Sequence, residues 1–171
     1  STIVEIEPSR LVQSVPARPT PDGRIGDCYR TAIGCLLGVP YPECVPHFVE
    51  QAIEAVGFDV ADWGDRRRAR TWLRGFGLDL MSVKRSFAAD TGHLYLASVN
   101  SRKGDWGHIV VCRREEVWWD PSGDPDAGYT LADLRYPDDA VEVLCEPYDP
   151  DPDEMVRRWS SSPPPEGGTA Q

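Results

Sequence analysis

Positive charge is scarce in this chain. Lysine and arginine together number 18 against 28 aspartates and glutamates, giving a net charge of −10 and an isoelectric point near 4.7. Nucleic acid is thereby disfavoured as a main partner, because phosphate binding needs basic surface. The one basic cluster, Arg66-Arg67-Arg68 with Arg70 and Arg74, is expected to spread over a solvated helix face. Long apolar runs are absent too, so no membrane span and no membrane partner is expected. Residues 1–13 alternate apolar and acidic side chains without a basic-then-apolar signal pattern, which predicts an intracellular, cytoplasmic protein. Paired cysteine motifs are also missing. The five cysteines, Cys28, Cys35, Cys44, Cys112 and Cys145, are odd in number and scattered in spacing. A disulfide framework is not expected. With no CxxC and no paired Cys/His spacing, neither is zinc, and no other cofactor suggests itself.

What is present fits one domain. A chain of 171 residues, 40% hydrophobic and 27% charged, can bury a real core. Residues 1–24 read as an extended arm, in which Ile3, Val4 and Ile6 suit a short edge strand before Pro16, Pro19 and Pro21 interrupt regular structure. Residues 25–148 carry the periodic patterns of a folded domain. Residues 149–171, acidic and then rich in Ser, Pro and Gly, are expected to be a disordered tail. Within it, Gly167-Gly168 could serve as a cleavage or tag signal, a flexible tail being the simpler reading.

Helical spacing dominates the first half of the domain. It predicts helices over 27–37, 42–56 and 62–74, the first closed by Gly38 and Pro40 and the third anchored by Trp63, Trp72 and Leu73. His47, between Pro46 and Phe48, reads as a surface or packing histidine. The period then changes to two. Strands are predicted over 78–83, 93–99, 108–112, 117–120 and 140–145, with 86–91 a plain connection and 130–134 a capped helical turn. Helices followed by a meander of mostly antiparallel strands make an α+β pattern. Trp118 and Trp119 are adjacent on a strand, so alternation predicts one facing the core and one facing outward.

The chemistry centres on Gly26-Asp27-Cys28-Tyr29-Arg30, which sets a cysteine at the first turn of an apolar helix. Unpaired N–H groups and the macrodipole at a helix start favour a thiolate, the nucleophilic form. Asp27 suits the N-cap. Two features of the strand half complement it. Gly107-His108 opens an apolar strand, and Asp120-Pro121 closes the next. A tight turn between these antiparallel strands would bring His108 and Asp120 to one end of the sheet. A thiol, an imidazole to move its proton and a carboxylate to fix the imidazole make a nucleophilic triad. Cys28 would attack a carbonyl carbon, a thioester would form, and its N–H would hold the oxyanion together with one more donor. Trp106, Trp118 and Trp119 are further candidates for a substrate groove.

These stretches, Asp27-Cys28 with Arg30-Thr31-Ala32-Ile33, Gly107-His108-Ile109-Val110-Val111, and Val117-Trp118-Trp119-Asp120-Pro121-Ser122-Gly123, resemble papain-like cysteine peptidases. The closest branch is the bacteriocin-processing, double-glycine leader peptidases, and the likeness runs over residues 22–134. It implies a papain-like fold, with a nucleophile helix packed on the sheet. It also implies a cofactor-free thiol hydrolase of peptide, isopeptide or other amide bonds, with a peptide or protein substrate. By that likeness Cys28 is the nucleophile, His108 the acid and base, and Asp120 the orienting acid. The chain departs from the pattern at two points. The family's glutamine before the cysteine, an oxyanion donor, is Asp22 here, and an ionised carboxylate cannot donate. Arg24, a loop N–H or another side chain would have to serve, so Asp22 or Arg24 is expected to line the cleft, with Asp27, Tyr29 and Trp106 as further candidates. Tyr29 also replaces the usual glycine after the cysteine. The cysteine stretch is similar to that of ovarian-tumour-type deubiquitinases as well. Acyl transfer or deamidation by the same triad, an isopeptidase of that type, and a papain-fold binding module without turnover are the alternatives.

Overall fold

The computed structural model describes residues 2–15, 25–57, 64–135 and 140–147. Asp22, Arg24, Trp63, the outer part of the arm and the whole of the 149–171 tail lie outside the described residues. What is described is α+β: four helices and a five-stranded antiparallel sheet.

Helix α1 (Cys28–Leu37) is the centre of the fold. Eight of its ten residues are buried, Thr31 and Gly34 among them, so it is enclosed on most sides. It ends at Gly38, whose left-handed backbone (φ 68°) donates back to Gly34 and Cys35 carbonyls. A Cβ at Gly38 would lie 2.2 Å from the Glu7 carbonyl oxygen, because the arm crosses there. The second predicted helix is two pieces: a 3₁₀ turn (Pro42–Cys44) and α2 (Phe48–Val56). Pro46 explains the break, since it has no N–H to give a helix and pushes its predecessor out of helical geometry; Val45 is extended (φ −116°, ψ 134°). His47 then caps α2, its Nδ1 accepting from the Glu50 N–H at 3.3 Å and its Nε2 donating to the Ile25 carbonyl at 2.9 Å.

Helix α3 (Gly64–Arg74) corrects the reading of the arginine cluster. Only part of it is a solvated face. Arg67 is exposed, but Arg66 contacts the Asp65 carboxylate, lies 3.4 Å from Glu142 and covers the Tyr29 ring at 4.0 Å. Arg70 and Arg74 both grip the buried Asp79, at 2.9 Å each. The cluster is the polar seam between α3 and the sheet. It holds the Asp79 carboxyl below the usual carboxylate range: burial opposes ionisation, but the two guanidiniums outweigh it.

Strands β1 (Asp79–Lys84), β2 (Leu94–Asn100), β3 (Gly107–Arg113), β4 (Glu116–Trp119) and β5 (Ala140–Cys145) pair in the order β1-β5-β2-β3-β4. The sheet is therefore not a simple meander. The stretch 86–91, expected to be a plain connection, belongs to helix α4 (Arg85–Thr91), two turns that bury Ala88 and Ala89. A helical crossover joins strands that run the same way. β1 and β2 do so, and β5 fills the gap between them, antiparallel to both. Ile3 in the arm makes one isolated bridge to Cys145; the short edge strand expected over Ile3, Val4 and Ile6 comes to no more than this.

Alternation divides the core. Leu96, Ile109, Val111 and Leu144 face α1 and α3, while Tyr95, Val99, Val110 and Val143 face α4 and the 3₁₀ turn Leu131–Asp133. The two tryptophans break the expected alternation. Val111 pairs with Trp119 and Cys112 with Val117, so Trp118 is the extra residue of a β-bulge. Both rings pack, half-buried, against the α1 side. No helix among the described residues is long and apolar enough to cross a membrane.

Candidate functional site

Cys28 is the first residue of α1 and is 3% exposed. Asp27 occupies the N-cap position, yet its side chain caps nothing. The carboxylate turns to the arm instead, accepting from the backbone N–H groups of Ser14 (3.2 Å) and Val15 (2.9 Å) and from Arg30 Nε (2.9 Å). The helix start is fastened by the backbone: the Asp27 carbonyl takes the Thr31 N–H at 3.1 Å and the Thr31 hydroxyl at 2.8 Å. Asp27 thus anchors the strand of arm that runs beside the site, and it is fully buried rather than open to the cleft.

The hairpin joins the other two groups as its topology requires. His108, second residue of β3, points Nε2 at Asp120 Oδ1, 2.7 Å away, just beyond the end of β4. Nε2 being committed, Nδ1 is the nitrogen left for the thiol. It is buried and makes no hydrogen bond of good geometry among the described residues. Cys28 is nonetheless near enough to act on the imidazole. Such contacts are commonly loose before substrate binds. Burial alone would depress the His108 pKa, but the Asp120 hydrogen bond and the adjoining Cys28 outweigh it and carry it to about 9. Asp120 moves the opposite way. Burial would raise its carboxyl, but the bonds from His108 and Ser122 hold it below the usual carboxylate range.

The remaining cysteines are differently placed. Burial pushes the Cys35 thiol up to about 11 and Cys112 to about 12. Cys35 is a packing residue, its sulfur accepting from the Leu11 N–H at 3.4 Å.

A cleft of about 260 Å³ opens at His108. Gln13 and Ser14 of the arm line it, together with Ser122, Arg102 and Tyr129. The Tyr129 ring lies against the imidazole, centroids 5.4 Å apart, and its hydroxyl accepts from the Arg102 N–H at 2.9 Å.

Two sequence candidates for the cleft stand elsewhere. Tyr29 is buried on the far side of α1, where its hydroxyl donates to Glu142 at 3.1 Å and its ring meets Phe48 edge-on. Burial first, then the Glu142 charge, raises its phenol well above the ordinary value. Trp106 belongs to the turn between β2 and β3 and closes over Gly104, where a Cβ would fall 1.6 Å from the indole. It is not among the residues lining the cleft.

Gln13, Ser122 and Tyr129 were missed by the sequence reading. Gln13 carries no local signal, because long-range bonds bring the arm here: Trp119 Nε1 donates to the Leu11 carbonyl, and the Gln13 N–H to the Pro121 carbonyl, both at 2.7 Å. Ser122 had one, since Asp-Pro-Ser-Gly is a turn in which a serine can reach back to the aspartate.

Among the described residues no group of three His, Cys, Asp or Glu side chains could hold a metal ion. No family model matches the chain, and neither does any curated protein or solved structure.

Proposed function

We propose that the protein is a thiol hydrolase of papain-like fold that cleaves a peptide, isopeptide or other amide bond. The observation that carries the reading is His108, which bonds Asp120 through Nε2, lies close to Cys28 and lines a cleft. In this proposal the imidazole takes the Cys28 proton and the sulfur attacks the substrate carbonyl carbon. The resulting imidazolium gives the proton to the departing amine, leaving a thioester. Water, deprotonated by the same imidazole, then releases the acid and restores the thiol. Asp120 keeps the ring in one orientation and stabilises its charge. Because the Asp27 side chain is occupied with the arm, it does not compete for the N–H groups at the helix start, and the Cys28 N–H is offered to the oxyanion. Gln13 is our candidate for the second donor: its Nε2 spends one hydrogen on the Val15 carbonyl at 2.7 Å and retains another.

The near-complete burial of Cys28 favours one competing reading, a binding module that keeps the constellation without turnover. Alkylation by iodoacetamide, read at Cys28 by peptide mass spectrometry against pH, separates the two. The hydrolase reading expects Cys28 to react faster near neutrality than a free thiol and His108→Ala to abolish the advantage. A Cys28 no faster than a free thiol and indifferent to His108→Ala would sink it. A fluorogenic peptide library, with Cys28→Ser as the blank, then reports turnover and substrate preference.

A further inference from the structure

We propose that Ser122 is a positioning residue of this site, holding the Asp120 carboxylate in the orientation that presents Oδ1 to His108. The inference rests on the thiol-hydrolase reading for its catalytic meaning, although the contacts themselves do not. The carboxylate takes three hydrogen bonds, two of them from one residue. Oδ1 accepts from His108 Nε2 at 2.7 Å and from the Ser122 N–H at 2.9 Å; Oδ2 accepts from the Ser122 hydroxyl at 2.7 Å. Ser122 is itself held. Its Oγ accepts from the Asp124 N–H at 3.3 Å, and the turn beneath is closed by Gly123, left-handed at φ 69°, donating to the Asp120 carbonyl at 3.0 Å.

The two bonds from Ser122 are not equivalent. The backbone bond to Oδ1 is an ordinary turn feature, available to any residue with an N–H. The hydroxyl bond to Oδ2 needs serine or threonine. With Oδ2 tethered, the carboxylate cannot rotate about its Cβ–Cγ bond without breaking a charge-assisted bond. The plane facing the imidazole is then fixed, and three donors favour the ionised form that a neighbouring imidazolium requires. Of the other groups about the imidazole, Cys28 adjoins it, Tyr129 covers a face, Arg102 stacks on Tyr129 at 5.3 Å, and Lys103 and Asp124 line the same cleft; Asp120 is the carboxylate the ring pairs with.

The test compares Ser122→Ala and the isosteric pair Ser122→Thr and Ser122→Val in the full chain, each carrying Cys44→Ser to remove the partly exposed thiol. NMR gives the His108 titration midpoint, iodoacetamide gives the Cys28 alkylation rate, and urea unfolding gives stability. Removing the hydroxyl is expected to lower the His108 midpoint by about one pH unit and to slow alkylation at neutral pH about fivefold, the size of one net hydrogen bond. Threonine should restore both and valine neither. A wild-type midpoint in the Ala and Val variants, while Asp120→Asn lowers it, would overturn the proposal, even if those variants were less stable. A Cys28 alkylation rate unmoved by His108→Ala would instead count against the hydrolase reading, and the midpoint would still decide whether Ser122 holds Asp120. Should Ser122→Ala fail to fold, the Thr and Val pair carries the comparison.

Discussion

The Val15 N–H donates to the buried Asp27 carboxylate at 2.9 Å, so the residue before the candidate nucleophile ties the arm to the start of the helix it precedes. Asp27→Ala would strip an acceptor from Ser14, Val15 and Arg30 at once. We expect a loss of about 3 kcal/mol in urea unfolding, since buried donors would be left unpaired beside an uncompensated guanidinium. Limited proteolysis should then cut within the arm. Asp27→Asn, which keeps an acceptor oxygen, should lose less.

The His108–Asp120 pair predicts how stability depends on pH. His108 is raised from an ordinary 6.5 to about 9, so the folded state binds its proton more tightly than the unfolded chain. Its contribution is full below about pH 6.5 and fades as pH rises through 9. Asp120 is lowered, so its contribution is full above the ordinary carboxylate range and is lost as pH falls below it. Urea unfolding should show a maximum in mildly acidic solution and a decline toward pH 9 of at most about 3 kcal/mol, at 1.36 kcal/mol per pKa unit. His108→Gln should flatten that alkaline decline. Equal wild-type stability at pH 6 and pH 9 would contradict the pairing.

Neighbouring arginines on α3 should differ sharply. Arg66→Met leaves Asp65 and Glu142 in the seam without their shared cation and uncovers the Tyr29 ring. A cost of about 3–5 kcal/mol is expected in urea unfolding. Arg67 is exposed, and Arg67→Ala should change stability by less than about 0.5 kcal/mol. Similar costs for the two would mean that Arg66 belongs to the solvated face.

Legibility in the sequence followed the range of the interactions. The β3–β4 hairpin is local, so alternation and a short turn were enough to set His108 and Asp120 at one end of the sheet. α1 was equally plain, from its apolar spacing and Gly38. α4 was not, because its buried residues are two small alanines that leave no amphipathic signature over two turns. Missing that helix hid the crossover, and with it the slot that β5 fills. Charge in sequence also misled: Arg66, Arg70 and Arg74 look like solvated residues until their acidic partners are supplied by Glu142 and Asp79 on the sheet. The arm wall of the cleft had no local signal, and Asp22 and Arg24, expected there, lie outside the described residues.

The place of β5 has a bearing on biosynthesis. All three groups of the candidate site leave the ribosome before residue 140, yet among the described residues β1 has no partner strand until β5 arrives to pair with it and with β2. Only the first residues of the arm wait on the same event, because the Thr2 carbonyl and Val4 N–H bond to Glu146 and Leu144. Pairings so distant along the chain are slow to form. The cleft's arm wall does not wait for β5: Gln13 and Ser14 bond to Pro121 and Asp27. A nascent polypeptide already bearing the thiol, imidazole and carboxylate therefore also holds that wall's partners, and the late strand completes the sheet rather than the site.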